Sequence, residues 1–382
     1  MTEAEQRAAR WISAWDGHGL HHTGASADHA GAEWLAAQAE AFGAWVTTEQ
    51  FELDRLDPLA CHLEIDDESI PAIPVFDAPS TGADGIAGRL GDEIAVAELP
   101  PQAVYSGAFE RLREQGGHRA LVVICAGADP GPALLNAERF RAPYGAPAIH
   151  VSSEARDGVL AALREHKAAR LVADSRRIPA RAVNVVATMR SDRRGQPPLV
   201  VMTPRSSWWQ STAERGGGLV CWLESLRALL AAPNQRSLGR DVIFTANSGH
   251  ELGHLGLDDF IERRPGWEKA GGATWLHYGA NLGAYGSWLS LVSNDGELRK
   301  LDVIVPAILI RLLPGADAGM ASVSNGEIEI ALQKGQELRR GRAACGEKAQ
   351  ARQRPQRRTI ILWPRPAKYI DGSIGIETRL AE

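Results

Sequence analysis

Residues 198–260 constrain the fold more than any other part of the chain, because they contain two successive units of strand, polar loop and helix. Segments 199–202 and 242–244 are short apolar runs rich in β-branched residues, which is typical of strands buried on both faces of a parallel sheet. Between them, apolar residues recur at helical spacing as far as Pro233, which predicts a helix over 218–232 with one buried face. The expected fold class is therefore α/β.

The two loops that follow these strands are the expected functional region. In open α/β sheets, binding sites form at the carboxyl ends of the strands, so loops 204–215 and 247–251 should lie side by side. They and their flanks contain an unusual density of charged, imidazole and indole groups. These candidate residues are Arg205, Ser206, Trp208, Trp209, Glu214, Arg215, His250, Glu251 and His254.

Length and composition set the remaining limits. With 382 residues, of which 44% are hydrophobic, the chain can bury one large core and a smaller additional one. The glycine triplet at 216–218 lacks the Lys that follows in a Walker-type phosphate loop, and the net charge of −5 disfavours a nucleic-acid partner. The polar start and the absence of a long apolar run predict a cytoplasmic protein without a membrane partner. The four cysteines are isolated, which predicts reduced thiols. The expected partner is a small-molecule or peptide substrate. Homo-oligomerisation stays open.

The order of four motifs resembles the zinc aminopeptidase family, which includes bacterial leucyl aminopeptidases, glutamate carboxypeptidase, glutaminyl cyclase and the transferrin receptor. The opening HHTGASADHAGAEWLAAQAEAFGAWVTTEQFEL is similar to the first helix and strand of that family, and NVVATMR with PLVVMT is similar to its strand pair. AERGGGLVCWLE stands where the family has its bridging aspartate, and SGHELGHLG stands where it has Glu-Glu-x-Gly-x-x-Gly. The resemblance implies a three-layer α/β/α sandwich with a mixed, mainly parallel sheet, and a hydrolase of amide or peptide-like bonds in small substrates.

The resemblance also implies a division of the chain. Residues 1–58 and 181–335 would form the discontinuous exopeptidase-like domain. Residues 59–180 resemble the smaller, β-rich (α+β) protease-associated insertion of such enzymes. Residues 336–382 form an atypical basic segment, in which 337–358 are dense in arginine. A solvated tail, a nucleic-acid patch and a shifted reading frame are the three interpretations of that segment, and the few aromatic residues argue against nucleic acid.

Most of the family's metal ligands are replaced. The resemblance aligns Pro204 with the first histidine ligand and Ser206 with the carboxylate that would orient it. Glu214 stands at the bridging aspartate and is followed by Arg215, whose fixed positive charge would repel a metal ion. Proline and serine bind zinc poorly, since zinc prefers imidazole, thiolate and carboxylate ligands.

The second half of the site departs in the same way. His250 replaces the family's catalytic glutamate, whereas the adjacent metal-binding Glu251 is retained. Asn281 stands at a further aspartate ligand, and no histidine follows His277 to supply the last ligand. The resemblance therefore implies that the two-zinc site cannot form as the family builds it.

Three functional interpretations compete. A single zinc or other divalent metal could be held by Glu251, Glu214 and His254, although the HExxH pattern of HELGH is not expected to act as in zincins, because His250 follows a strand and should lie on a loop. A metal-free hydrolase would use Ser206 or a neighbouring hydroxyl as nucleophile. A non-catalytic binding protein would keep only the fold.

Each interpretation assigns roles to the same residues, and plain salt bridges among them are the simpler alternative. His250, Glu251 and Glu214 are the predicted catalytic groups. The predicted substrate-binding residues are Arg205, Ser206, Trp208, Trp209, Arg215, His277 and Asn281.

Overall fold

The structure is a computed structural model that describes residues 1–99, 107–125, 131, 133–192, 195–233, 238–269, 271–279, 287–293 and 359–366. Its helices are α1 Glu3–Asp16, α2 Ser26–Ala41, α3 Ala108–Gln115, α4 Arg156–Arg164, α5 Gly217–Ala231 and α6 Leu255–Glu262. Its first six strands are β1 Trp45–Ile65, β2 Glu68–Pro74, β3 Ile86–Arg89, β4 Ile94–Leu99, β5 Ala120–Cys125 and β6 Ala148–Val151. The other six are β7 Ala168–Met189, β8 Leu199–Pro204, β9 Val242–Asn247, β10 Thr274–Tyr278, β11 Ser287–Ser293 and β12 Thr359–Pro366.

The described strands form one mixed sheet. Their order is β11-β12-β10-β8-β9-β7-β1-β2-β6-β5-β4, with β3 beside β7. The block β12-β10-β8-β9 is parallel throughout, and β4-β5-β6 is a second parallel block. Antiparallel pairs between β9, β7, β1, β2 and β6 join the two blocks.

Helices cover both faces of the first block. Val185, Val201 and Phe244 point to one face, where they share a core with residues of α1, α2 and α5. Val186 and Val200, their neighbours along the strands, point to the other face and pack with Phe260 of α6 and its surroundings. Because successive strand residues alternate between faces, uninterrupted apolar strands require this three-layer arrangement.

Local signals in the sequence explain where several elements begin. Thr2 and Glu5 form a capping box at the start of α1, in which each side chain binds the backbone N–H of the other residue. The predicted strands 199–202 and 242–244 are confirmed as β8 and β9, and the predicted helix 218–232 is confirmed as α5, shifted by one residue. In the part of the chain that the structure describes, no helix combines the length and apolar character needed to cross a membrane.

Strands β1 and β7 run through both halves of the molecule. They pair continuously from Trp45 with Thr188 to Ile65 with Ala169, with one register shift between Pro58 and Ala60. Beyond that shift they pack with β4, β5, β6 and α4 around a second core. The predicted boundaries at 58/59 and 180/181 therefore fall inside two long strands, and the division of the chain into separate domains stays a prediction.

Part of the basic carboxyl-terminal segment belongs to the main sheet. Strand β12 pairs with β10 in parallel and with β11 in antiparallel fashion. The segment TIILWP has the β-branched and aromatic composition of a strand, in agreement with its place in the sheet. The arginine-rich run 337–358 lies outside the described residues.

Candidate functional site

The two polar loops meet at the carboxyl ends of β8 and β9. These strands are parallel neighbours in which Pro204 pairs with Asn247. The N–H of Arg205 donates to the carbonyl of Asn247 at 2.7 Å, so the backbone contact between the two segments extends one residue beyond β8. The expectation that loops 204–215 and 247–251 lie side by side is confirmed.

Glu251 is held at the centre of this junction. The hydroxyl of Ser206 donates to Oε2 of Glu251 at 2.7 Å, and the hydroxyl of Thr23 donates to Oε1 at 2.5 Å. The N–H of Gly249 donates to Oγ of Ser206 at 2.6 Å. Thr23 and Ser206 are buried, and Glu251 is only 2% exposed. Burial raises the pKa of Glu251, and the two hydroxyl hydrogen bonds oppose that rise.

Arg205 makes a separate ion pair inside the core. Its guanidinium lies 2.7 Å from the carboxylate of Asp28 and also donates to the carbonyls of Asp28 and Val183. The Asp28 carboxylate also accepts hydrogen bonds from the N–H of Gly24 and the hydroxyl of Ser248. Both charged side chains are completely buried. The guanidinium of Arg205 thus has partners within the protein, and the substrate contact predicted for it stays a prediction.

Arg215 brings a second buried guanidinium to the junction. It lies in a π-helical turn, Thr212–Gly216, that leads directly into α5. Its Nε donates to the carbonyl of Ser206 at 2.8 Å, and one terminal nitrogen lies 2.9 Å from the carboxylate of Glu214. The other terminal nitrogen, Nη1, is buried and finds no hydrogen-bond partner within the described ranges.

Three histidines surround the positive charge of Arg215. His250 lies on a turn after β9, as predicted, and its ring stands edge-on to that of His254 with 4.5 Å between centroids. His277 lies on β10, which is parallel to β8, and pairs with Met202. Burial lowers the pKa of all three imidazoles, to about 4 for His277, and Arg215 lowers each further. All three rings are therefore neutral at pH 7.

A small cavity of about 10 Å³ lies beside this histidine pair, with room for about one water molecule. Its lining consists of Met202, Pro204, Asn247, Ser248, His250, His254 and Leu257. Oδ1 of Asn247 is buried near it and has no hydrogen-bond partner among the described residues.

The adjacent tryptophans have different environments. Trp208 is buried and packs against Phe76, with ring centroids 4.4 Å apart. Trp209 is 38% exposed, and its carbonyl accepts hydrogen bonds from the N–H of His21 and the hydroxyl of Ser207. The structure thus places one ring in the core and the other at the surface.

Solved structures share this arrangement of elements. A zinc aminopeptidase from Bacillus subtilis superposes with a TM-score of 0.66 at 14% identity, over 97% of this chain and 87% of that one. An aminopeptidase from Aneurinibacillus sp. strain AM-1 gives a TM-score of 0.60 at 15% identity, over 94% and 85% of the two chains. A peptidase M28 precursor from Shewanella amazonensis SB2B gives 0.61 at 15% identity, over 86% and 84%.

The chain has the zinc aminopeptidase fold. No protein-family profile and no curated protein sequence matches it, so the similarity is one of three-dimensional structure. With sequence identities near 14%, the similarity shows a shared fold, and it does not show that this chain shares the chemistry of the aminopeptidases.

The residues at the strand ends do not fit the zinc pair of those aminopeptidases. In the described ranges, no group of three or more His, Cys, Asp or Glu side chains is placed to hold a metal ion. Both carboxylate oxygens of Glu251 already accept hydrogen bonds, and Arg215 places a permanent positive charge next to it. Glu214 is paired with that guanidinium. A divalent cation there would have to displace these contacts and overcome the charge of the arginine.

Thr23 and Asp28 complete the junction but were not predicted from the sequence. Both belong to the segment that precedes and begins α2, which lies far along the chain from β8 and β9. An aspartate in the first turn of a helix is ordinarily exposed to solvent, where it interacts favourably with the helix dipole. The residue type and position of Asp28 therefore gave no indication that it is buried. The resemblance of this segment to the first helix of the family was the signal that could have located them. Asn281 lies outside the described residues.

Proposed function

We propose that the protein binds a small peptide-like ligand and does not hydrolyse it. The proposal rests on Glu251, the carboxylate at the metal-binding position, which is closed off from solvent by two hydroxyl groups. A catalytic carboxylate must reach water, a metal ion or substrate. The contacts of Glu251 instead join the segment before α2 to the loops that follow β8 and β9, which supports a structural role.

The fold and the surface of the site support a ligand of this class. Aminopeptidases of the same fold act on peptides, and the carboxyl ends of parallel strands are where α/β proteins bind small molecules. Half-buried imidazoles at His250 and His277, with the exposed ring of Trp209, supply neutral hydrogen-bonding and stacking groups there. A ligand can use these groups without reaching Glu251.

Metal-independent hydrolysis is the second candidate, favoured by one specific contact. Ser206 and Glu251 have the separation of a nucleophile and its base, and Thr23 orients that base. The raised pKa of Glu251 would suit a general base near neutral pH. His250 is less suited to that role, because among the described residues no hydrogen bond joins its ring to Ser206 and its pKa lies well below 6.5.

One experiment separates the two candidates. The protein is incubated with aminoacyl-p-nitroanilides and short peptides, including leucyl-glycine, while binding of the same peptides is followed by calorimetry. We expect binding without release of product, with or without added zinc. Turnover that disappears in both Ser206→Ala and Glu251→Gln, but persists in His250→Ala, would establish the hydrolase instead. Loss of turnover in His250→Ala alone would restore the histidine base predicted from the sequence.

A further inference from the structure

Arg215 has one hydrogen-bonding group more than the protein satisfies. Its side chain is 1% exposed, and two of its three nitrogens bind Ser206 and Glu214. Nη1 has no partner. A buried N–H without a partner costs about 1–3 kcal/mol, and more on a charged group, so such groups are rare unless water or a ligand binds them.

The position of Arg215 adds to the attraction for a negative group. The π-helical turn that carries it continues into the fifteen-residue helix α5, and neither element has a side-chain cap. The amino-terminal end of a helix carries a partial positive charge, which favours anions in its first turn. The guanidinium and the helix therefore act in the same direction.

The surroundings of Arg215 favour an anion of low charge. The three imidazoles near it are neutral, because burial and the guanidinium itself lower their pKa values. Among the described residues, Nε2 of His277 is also buried without a hydrogen-bond partner. Glu214 already offsets part of the charge of Arg215. A singly charged carboxylate therefore repels Glu214 less than a phosphate dianion does, which favours the smaller charge.

We propose that Arg215 and His277 bind the carboxylate group of the peptide-like ligand. Nη1 of Arg215 donates to one carboxylate oxygen, and the imidazole of His277 donates to the other. Glu214 competes with the ligand for the guanidinium, since its own carboxylate occupies the neighbouring nitrogen. This inference rests on the proposed function, and it assigns to that ligand a free carboxyl group.

The experiment compares two probes that differ in that group alone. Leucyl-glycine and its carboxamide are titrated calorimetrically into the full-length protein, with inorganic phosphate as a third probe. We expect the carboxamide to bind at least about tenfold more weakly, because charge-assisted hydrogen bonds to arginine contribute about twice as much as neutral ones.

Two variants are expected to change affinity in opposite directions. Arg215→Met should weaken binding of leucyl-glycine by about tenfold or more, while leaving binding of the carboxamide unchanged. Glu214→Gln should tighten binding of leucyl-glycine several-fold, because it removes the competing carboxylate. Arg227→Met is the matched control, since Arg227 lies on α5, is partly exposed and pairs with Glu224. If Arg215→Met fails to fold, Glu214→Gln decides, because Glu214 is 36% exposed in its side chain.

The outcomes distinguish this inference from the function on which it rests. Equal affinity for leucyl-glycine and its carboxamide would overturn the carboxylate site and leave peptide binding intact. Weaker binding in Glu214→Gln would also overturn it, because Glu214 would then be a ligand contact. Tighter binding of phosphate than of leucyl-glycine would reassign the site to phosphate. Absence of binding by either peptide would overturn the proposed function and the inference together.

Discussion

Glu138 carries a carboxyl group with a shifted pKa in a segment whose backbone contacts the site. The N–H of the preceding Ala137 donates to the carbonyl of Glu251 at 2.8 Å, and the backbone of Glu138 lies against Gly253. Burial raises the pKa of Glu138 to about 7, and the nearby Asp77 carboxylate adds to the rise. Oε1 of Glu138 is buried and has no hydrogen-bond partner among the residues that the structure describes. The ionised form is therefore disfavoured in the folded protein.

This shift predicts a loss of stability as the pH rises. Because the pKa is higher in the folded than in the unfolded chain, the folded state binds its proton more tightly, and the contribution of Glu138 is complete below about pH 4.5. It is lost as the pH rises through about 7. We expect Glu138→Gln to raise the free energy of unfolding relative to the natural protein at pH 8 by about 1–3 kcal/mol, and to have little effect at pH 4.5.

Urea denaturation at several pH values measures the difference. Glu68→Gln, at an exposed position in β2, is the control and should show no such dependence. A difference between Glu138→Gln and the natural protein that is constant from pH 5 to 8 would mean that Glu138 is ionised throughout that range in the folded state.

At the scale of elements, Gly218 sets how closely α5 approaches the sheet. A β-carbon at this position would lie 2.7 Å from Oγ1 of Thr203 and 3.2 Å from the carbonyl oxygen of Gly279. These atoms belong to the ends of β8 and β10, where Arg215 and His277 are positioned. The absence of a side chain at Gly218 thus permits this close approach.

Replacement of Gly218 by alanine is expected to destabilise the protein despite the higher helix propensity of alanine. Overpacking of a close contact costs about 1–3 kcal/mol, which exceeds the gain of about 1 kcal/mol from propensity. Gly158→Ala in α4 is the matched control, and we expect it to stabilise the protein. No described atom lies within 4 Å of the β-carbon that it adds, so only the gain in helix propensity should appear. Equal effects of the two substitutions, measured by thermal unfolding, would contradict this description of the α5 contact.

The elements also show what the sequence could and could not predict. Apolar runs and helical spacing located β8, β9 and α5, because the period of a buried face depends on neighbouring residues. The ion pair between Arg205 and Asp28 joins positions 177 residues apart, and no local pattern encodes such a contact. The lengths of β1 and β7 were not anticipated either, because the division implied by the resemblance put boundaries where the structure has continuous pairing and one register shift.

For the whole molecule, the aminopeptidase fold is combined with a junction of buried hydrogen bonds and ion pairs at the ends of β8 and β9. The superposition covers nearly the whole chain, although only 14% of the residues are identical. Hydrogen bonds from Thr23 and Ser206 satisfy Glu251. The ion pair of Arg205 and Asp28 joins β8 to α2. These contacts link the segment before α2, the first turn of α2 and the loops that follow β8 and β9 through protein groups.

This arrangement predicts that metal ions leave the stability unchanged. A ligand that binds only the folded state at one hundred times its dissociation constant raises the free energy of unfolding by about 2.7 kcal/mol. We expect no such rise when zinc is added at ~100 µM, and no fall on dialysis against a chelator, measured by thermal unfolding with metal content determined by mass spectrometry. The two fixed charges of Arg205 and Arg215 are the physical reason, since each repels a divalent cation across a poorly screened interior. About one equivalent of bound zinc that disappears in Glu251→Gln would instead support the single-metal interpretation, and Arg215 would then have to lie farther from Glu251 than the structure places it.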